Sequence, residues 1–225
     1  MNRVLLFLTL CVGMASAWDE CQPLAPKQFE ASLSVFRYLE GDKAFYPELA
    51  LKAGLVTGLD VELNIPGALQ TGASGFDQPT LALKYALPGL TGWSALVGAS
   101  APIGADSVMG EDSLAVLDFA GMFEFSTPSL TINGFVSYSA NVNALDRGAL
   151  DGYFIPYYAI TEKFGAYLGL EVSKPLSNDG PTYFAYPGLS YLFTDVTGIS
   201  GDFDIEKEPA TDPAFGIGFA VYTQF

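Results

Sequence analysis

Charged side chains stand at alternate positions of several short apolar segments, and they are the residues of this sequence that could do chemistry. In "LDVELNI", for example, Asp60 and Glu62 alternate with leucine, valine and isoleucine. A period of two places the carboxylates on one face of an extended chain and the apolar residues on the other. The same alternation singles out Lys52, Asp60, Glu62, Lys84, Asp118, Glu124, Glu171, Asp202 and Asp204.

Such a set of charges could serve either of two purposes. Carboxylates that line a water-filled passage raise the local concentration of cations and repel anions. Carboxylates that neutralise Lys52 and Lys84 inside a closed protein form a structural network instead. The sequence leaves both interpretations open for these residues.

Catalysis has few candidate residues, because the sequence contains no histidine. This excludes Ser-His-Asp and Cys-His nucleophiles, histidine general bases and histidine metal ligands. The glycine pair of "FGIGF" lies in an alternating segment and not before a helix, which argues against a phosphate loop. The acidic stretches "GEDS" and "DFDIEKEPATD" lack the ligand spacing of a calcium loop. We therefore predict no enzyme activity, no cofactor and no metal site.

The charged residues are carried by segments that alternate along the whole chain. "QFEASLSVF", "TLALKYAL" and "FGAYLGLEV" place apolar residues at every second position, which predicts strands and not helices. About twelve such segments follow one another, and "AFGIGFAVYTQF" is the last. Two of them, "YFIPYYAI" and "YFAYPGLSYLF", are apolar on both faces and contain Pro156 and Pro187. At these prolines we expect a kink or a local gap in the hydrogen-bond ladder.

The connections between these segments alternate in length. Tight connections such as "VTG", "STPS" and "TEK" alternate with longer polar ones, among them residues 66–79 and 141–152. An even number of strands with tight turns at one end and long loops at the other is the organisation of a transmembrane barrel. The predicted fold is therefore all-β: a closed antiparallel up-and-down transmembrane β-barrel of about 12 strands, with roughly 10–14 possible.

A secreted β-sandwich or soluble barrel would also show alternating strands. Two features favour the membrane barrel. The polar face of the segments is rich in Gly, Ala, Ser and Thr, which suits a crowded or water-filled interior. Aromatic residues near the ends of the segments suit the interface girdles of a membrane barrel; they are Trp93, Phe125, Tyr138, Tyr153, Phe164, Tyr183 and Phe193.

The first residues predict export from the cytoplasm. Arg3 precedes the apolar run "VLLFLTLCVGM", and Ala15-Ser16-Ala17 suits cleavage, so residues 1–17 are expected to be a signal peptide. Loss of Arg3 leaves nine basic residues against 25 acidic ones and a net charge of −16, which argues against nucleic acid as a partner. Cys21 is then the remaining cysteine, so no intrachain disulfide can form. We assign residues 18–27 to a short periplasmic segment and residues 28–225 to the barrel.

The last strand resembles the C-terminal strand of bacterial outer-membrane β-barrel proteins. Ile217, Phe219, Val221 and Phe225 share one face, and the sequence ends on the aromatic residue, although Thr223 departs from the apolar pattern. The resemblance implies a place in the outer membrane of a Gram-negative cell, with lipid around the barrel. It also implies that the outer-membrane assembly machinery reads these four residues. The resemblance extends to a superfamily and to no particular member.

The leading functional hypothesis is a small porin-like channel for passive diffusion of ions or small solutes, with a cation preference from the carboxylates. The first alternative is a non-conducting structural or surface-binding barrel that uses its long extracellular loops. The second is a transporter of apolar small molecules, which the aromatic segments around Pro156 and Pro187 suggest.

Overall fold

The computed structural model describes residues 21–39, 44–70, 73–103, 115–142, 144–176 and 180–225. The predicted signal peptide lies outside these residues. No helix in the described part is long and apolar enough to span a bilayer. The strands of the described part are β1 Phe29–Tyr38, β2 Phe45–Val56, β3 Leu59–Gln70, β4 Ala73–Phe76, β5 Thr80–Ala86, β6 Trp93–Ser100, β7 Val116–Ser126, β8 Leu130–Asn141, β9 Ala144–Ala159, β10 Phe164–Pro175, β11 Thr182–Leu192, β12 Thr197–Lys207 and β13 Ala214–Gln224.

The strands form one antiparallel sheet that closes on itself. Neighbours in the chain pair with one another except β4 and β5, which both pair with β3. Strand β1 pairs with β13, with Leu33 opposite Val221. The backbones of Phe29 and Phe225 complete the closure by donating to each other's carbonyls, at 3.2 and 2.7 Å. The predicted closure of the sheet into a barrel is therefore confirmed.

Strands β4 and β5 together act as one strand of the barrel. Both pair with the same side of β3: Gly67 and Ala68 face β4, while the first half of β3 faces β5. The interruption lies at residues 77–79, where the amide of Asp77 donates to the carbonyl of Pro66. The thirteen strands of the described part thus make a barrel of twelve, which confirms the predicted fold class.

The two faces of the sheet have opposite character. Leu33, Val136 and Phe219 point outward with 53%, 65% and 65% of their surface exposed, whereas Asp60 and Ser94 point inward and are fully buried. A soluble barrel would place its apolar residues inside. An apolar outer surface around a polar interior is the arrangement of a barrel surrounded by lipid. We call the interior the lumen.

Two of the expected long loops are largely strand. Within 66–79 the chain continues β3 to Gln70 and forms β4, and within 141–152 it continues as β9 from Ala144. Gly and Asp obscure the alternation there, but the backbone pairs regardless of side chain, with Ser139 opposite Ala149 and Tyr138 opposite Leu150. The hairpin between β8 and β9 is therefore an extended ribbon, and the loop prediction for 141–152 is wrong.

Aromatic residues near the strand ends follow the prediction with one exception. Trp93, Phe125, Tyr183 and Phe193 are each about half exposed on the outer side. Tyr153 instead points into the lumen, where its ring stacks at 6.3 Å on Tyr186 and lies 4.8 Å from Phe135, measured between ring centroids. Its assignment to a girdle is wrong because the phase of β9 turns Tyr153 inward, together with Asp151.

Both prolines interrupt the ladder as expected. The β9–β10 pairing passes from Phe154↔Leu170 to Tyr157↔Tyr167 and omits Pro156. The β11–β12 pairing passes from Ala185↔Ile205 to Gly188↔Asp202 and omits Pro187. A proline lacks the amide proton that the neighbouring strand would accept, which accounts for each gap.

The final strand presents the predicted face to the outside. Phe219, Val221 and Phe225 are 65%, 51% and 74% exposed, and Ile217 is partly exposed. The hydroxyl of Thr223 lies 2.9 Å from the hydroxyl of Thr197, its register partner on β12. This cross-strand hydrogen bond gives the polar residue a structural role at the outer face.

Candidate functional site

One wall of the lumen, formed by β1 to β5, contains paired charges. The ammonium of Lys52 lies 3.6 Å from Glu30 and 3.9 Å from Glu62, which are its register partners on β1 and β3. The ammonium of Lys84 lies 3.5 Å from Asp60, again its register partner. Alternation turns each of these side chains inward, and antiparallel pairing then places opposite charges side by side.

These ion pairs are buried and further hydrogen-bonded. Asp60 also accepts the backbone amide of Leu24 at 3.0 Å, and Glu62 accepts the side-chain amide of Asn64 at 2.9 Å. These bonds satisfy some of the remaining lone pairs, which lowers the cost of burying the ion pairs. The Oδ1 atom of Asp60 has no hydrogen-bond partner among the described residues. Of the two interpretations of the charged residues, the structural network around Lys52 and Lys84 is the one that this wall fits.

The opposite wall, formed by β7 to β12, contains carboxylates that are bonded to hydroxyl groups. Ser139 donates to Asp118 at 2.7 Å and Ser173 donates to Asp151. Further along the wall, Tyr167 donates to Asp202 at 2.7 Å. The hydroxyl of Tyr38 reaches across β13 to Glu206, also at 2.7 Å. Hydroxyl donors hold these carboxylates in place without neutralising them. We call this wall the acidic wall; its inward carboxylates are Asp118, Glu124, Asp151, Glu171, Asp202, Asp204 and Glu206.

The lumen is therefore electrostatically asymmetric. Among the side chains that the structure describes, Lys52 and Lys84 are the basic residues at inward positions. Both belong to the wall formed by β1 to β5, which we call the paired wall. Lys174 and Lys207, on β10 and β12, occupy outward positions. The potential is therefore more negative at the acidic wall, which has seven inward carboxylates, than at β1 to β5, where four inward carboxylates face two lysines.

The segment before β1 enters the lumen at the end of the tight turns. The amides of Lys27 and Gly54 donate to the carbonyls of Gly54 and Gln28 at 3.0 and 2.9 Å, which fastens the segment to β2. Cys21 is 1% exposed. Its thiol donates to the carbonyl of Gly92 at 3.2 Å, and Ser94 donates to its carbonyl. We call residues 21–28 the N-terminal segment.

Cys21 completes a small apolar cluster inside the barrel. It packs with Met122 and Phe135, and Leu96 and Tyr153 lie against this group. Burial raises the pKa of the Cys21 thiol, and the charge of Glu124 raises it further, although the hydrogen bond from Ser94 acts in the opposite direction. The thiol is thus held protonated at neutral pH. Whether residues 18–27 face the periplasm stays a prediction.

Aromatic rings cover much of the remaining inner surface. Where a glycine lies on one strand, a ring from the next strand occupies the space that a Cβ atom would need, as for Gly169 beneath Tyr186 and Gly188 beneath Tyr167. The acidic wall is therefore made of carboxylates, hydroxyls and tyrosine faces together. Such a surface can attract cations by charge and by the π face.

The structure places all nine charged residues singled out by the sequence on the inner face. It joins Lys52 with Glu62 and Lys84 with Asp60, and it separates these from Asp118, Glu124, Glu171, Asp202 and Asp204 on the acidic wall. Contact of any of them with a passing ion stays a prediction.

Four inward carboxylates were missed: Glu30, Glu48, Asp151 and Glu206. Glu30 and Glu206 were visible as the polar partners in alternating segments. Asp151 fell in the wrongly assigned loop. Within the described residues, no three carboxylate or thiol groups converge closely enough to hold a metal ion.

Neither protein-family models nor curated proteins match this chain. Solved structures do match in fold. The COG4313 outer membrane channel from Pseudomonas putida F1 is 12% identical with a TM-score of 0.70, covering 92% of this chain and 99% of that chain. KdgM porin is 11% identical with a TM-score of 0.62, covering 87% and 99%. NanC porin is 10% identical with a TM-score of 0.66, covering 86% and 98%. The chain therefore has the fold of outer-membrane β-barrel channels.

Proposed function

We propose that this chain, which has the fold of outer-membrane β-barrel channels, forms a passive channel that passes small cations and neutral solutes in preference to anions. The observation that supports this proposal is the acidic wall. Its carboxylates face the lumen, and the described basic residues of the lumen are already paired on the opposite wall. A negative passage enclosed by low-dielectric walls concentrates cations and raises their rate of entry.

The same proposal includes a location in the outer membrane. A signal peptide at residues 1–17 and the terminal face of Ile217, Phe219, Val221 and Phe225 support export and insertion by the outer-membrane assembly machinery. The apolar outer surface supports lipid as its surroundings. The lack of histidine in the sequence supports a protein that transports and does not catalyse.

The substrate differs in charge from that of one structural neighbour. KdgM porin has been described in complex with disordered oligogalacturonate, which is a polyanion. The acidic wall of this chain would repel a polyanion, because like charges in a confined lumen are poorly screened. The proposed passage is therefore closed to such polyanions.

Ion selectivity of the purified protein in planar bilayers tests the proposal. With a KCl gradient across the membrane, we expect a reversal potential of the sign given by K⁺ permeation. The double variant Asp118→Asn with Asp204→Asn should lower the K⁺/Cl⁻ permeability ratio about twofold to fivefold, since a unit charge contributes roughly 1 kcal/mol at about 4 Å even in water.

Glu62→Gln is the matched control, because Glu62 lies on the paired wall beside Lys52. It should change the permeability ratio less than the double variant does. An open channel that prefers chloride, or one that responds more to Glu62→Gln than to the double variant, would contradict the proposal.

A non-conducting structural or surface-binding barrel is the second candidate. The observation that favours it is the depth to which the paired wall and N-terminal segment are buried: Asp60 and Ser94 are fully inaccessible and Cys21 nearly so. A correctly folded protein that gives no current in bilayers, with or without the N-terminal segment, would establish this candidate instead.

A lateral route for apolar molecules is the third candidate. Pro156 and Pro187 align across β9, β10 and β11, since Leu168 is the register partner of Pro187 and lies opposite the gap at Pro156. Each proline leaves one pairing gap in the wall. Uptake of an apolar dye by proteoliposomes that do not conduct ions would support this route.

A further inference from the structure

We propose that the acidic wall contains a binding site for organic ammonium ions, centred on Glu171 and enclosed by Tyr153, Phe184 and Tyr186. This inference deepens the proposed channel function and rests on it for the access of ligand to the lumen. It assigns one position on the wall, and one class of ligand, where the proposed function requires only a diffuse negative potential.

Glu171 is the first reason for this choice. Its side chain points inward from β10 and the residue is 8% exposed. Among the described residues it makes neither a hydrogen bond nor an ion pair. In this it differs from the carboxylates that accept hydrogen bonds from hydroxyl groups, which are Asp118, Asp151, Asp202 and Glu206. The carboxyl group of Glu171 is therefore left for a ligand in the lumen to satisfy.

The charges around Glu171 are all of its own sign. Asp151, Asp204 and Glu206 are the groups that act on it electrostatically, and each of them repels its ionised form. Glu206 lies two strands away from Glu171 at the same register level of the sheet, because Glu171 and Glu206 both pair with Phe184 on β11. A positive group beside Glu171 would replace this repulsion with attraction to several carboxylates at once.

The aromatic rings are the second and independent reason. Tyr153 on β9 and Phe184 on β11 are the register partners of Glu171, so an inward ring flanks the carboxylate on either side. Tyr186 lies against Gly169, two residues before Glu171, and stacks on Tyr153 with ring centroids 6.3 Å apart. Ring faces around a carboxylate form the surroundings in which organic ammonium ions are bound by cation–π attraction and charge together.

The same geometry disfavours other ligands. Phenyl and phenol faces offer no oxygen ligands to a hard metal ion, and no three acidic or thiol groups of the described residues converge to hold one. An anionic ligand would meet four carboxylates: Asp151, Glu171, Asp204 and Glu206. A primary ammonium has three N–H donors for the carboxylates, and an attached apolar or aromatic group can pack on the rings.

Benzylammonium is the probe, and isothermal titration calorimetry on the detergent-solubilised full-length barrel is the measurement. We expect saturable binding of benzylammonium and none of benzyl alcohol, which is similar in size but uncharged. Glu171→Gln should weaken binding at least about tenfold, as expected for loss of one charged hydrogen-bond partner. Tyr153→Leu should weaken it about threefold, the size of one cation–π contact.

Glu124→Gln is the matched control, because it removes the same charge from the acidic wall at a residue that accepts a hydrogen bond from Ser126. It should change the affinity less than about twofold, since most of the attraction is local. Glu171→Asp keeps the charge and should bind better than Glu171→Gln. The heat-dependent shift of each variant on SDS gels establishes that the barrel is folded.

Two outcomes would overturn the site. The first is an equal loss of benzylammonium affinity in Glu171→Gln and Glu124→Gln, which would mean diffuse attraction only. The second is the absence of benzylammonium binding to a folded, cation-selective channel. The second outcome leaves the proposed channel intact. Conversely, binding that depends on Glu171 in a barrel that passes no current would support the site and contradict the channel.

Discussion

At the scale of single residues, the position of the N-terminal segment depends on Gly54, because a glycine has no side chain. Gly54 lies directly beneath the segment, and a Cβ atom there would overlap the carbonyls of Ala25 and Leu24. These atoms belong to the backbone and cannot turn aside as a flexible side chain could. A glycine in a strand is unfavourable in itself, and close approach of the segment accounts for it here.

Gly54→Ala should therefore displace the N-terminal segment and expose Cys21. In the wild-type barrel we expect the thiol to react slowly, because burial excludes reagents and raises its pKa, which lowers the thiolate fraction. We expect alkylation by a maleimide in detergent at neutral pH to become faster in Gly54→Ala. The rate should move toward that of the urea-unfolded protein.

Gly121→Ala serves as the control, since a Cβ atom on Gly121 would meet no atom within 4 Å. It should leave the alkylation rate at the wild-type value. A wild-type thiol that already reacts as fast as the unfolded chain would show that Cys21 is not held inside the lumen, and would remove the basis of this prediction.

At the scale of strands, the prolines of β9 and β11 weaken the wall that carries the ammonium site. Leu168 lies between them on β10, and at each proline the pairing with one neighbouring strand is interrupted over two register positions. The gaps lie on different sides, with Pro156 unpaired toward β10 and Pro187 unpaired toward β12. The strand pair β10–β11 between them stays continuous in this region.

Replacing each proline by valine should close the corresponding gap. Pro156→Val and Pro187→Val each restore an amide donor in a strand position, which is worth about 1 kcal/mol when a hydrogen bond forms. We expect the free energy of unfolding in urea, followed by tryptophan fluorescence in lipid vesicles, to rise by this amount in each variant. Pro128→Val, in the turn between β7 and β8, should bring no gain.

Unchanged stability in both strand variants would indicate that the gaps have a cause other than the missing amide. If apolar dye uptake occurs in the wild type and disappears in these variants while the barrel becomes more stable, the lateral route would gain direct support.

Particular strands show how much of the lumen was predictable. Alternation identified the inward face of β3 and β10, because Asp60, Glu62 and Glu171 stand among leucines and valine. "YFIPYYAI" was ambiguous because the inner face of β9 is itself aromatic, with Tyr153 and Tyr157 turned toward the lumen. Alternation distinguishes the two faces of a strand by their polarity, so it does not identify the inward face where both faces are apolar.

The pairing of particular charges could not be read from one strand at a time. Lys52 meets Glu30 and Glu62 only through the registers of β1, β2 and β3. Register is set by turn geometry and by the whole closed sheet, which a local pattern does not contain. The separation into a paired wall and an acidic wall follows from that closure. It is the feature on which both functional proposals depend.

At the scale of the whole molecule, the lumen is narrowed at one end by a part of the chain that is not a strand. Cys21 and Leu24 lie inside the barrel at the end of the tight turns, where they are 1% and 6% exposed. A barrel of about twelve strands is wider than the filled eight-stranded size and narrower than open porins. A segment of this kind can therefore decide how wide the remaining passage is.

A variant that lacks residues 18–24 but keeps the predicted signal peptide should show a larger unitary conductance in planar bilayers. The reason is steric: the deletion removes Cys21 and Leu24 from the lumen, while Lys84 still neutralises Asp60 after the Leu24 amide is lost. Cation preference should persist, because the acidic wall is untouched. Gly54→Ala, which displaces the segment without removing it, should raise the conductance to an intermediate value. A deletion that leaves conductance unchanged would place the narrowest part of the passage elsewhere, beside the rings of the acidic wall.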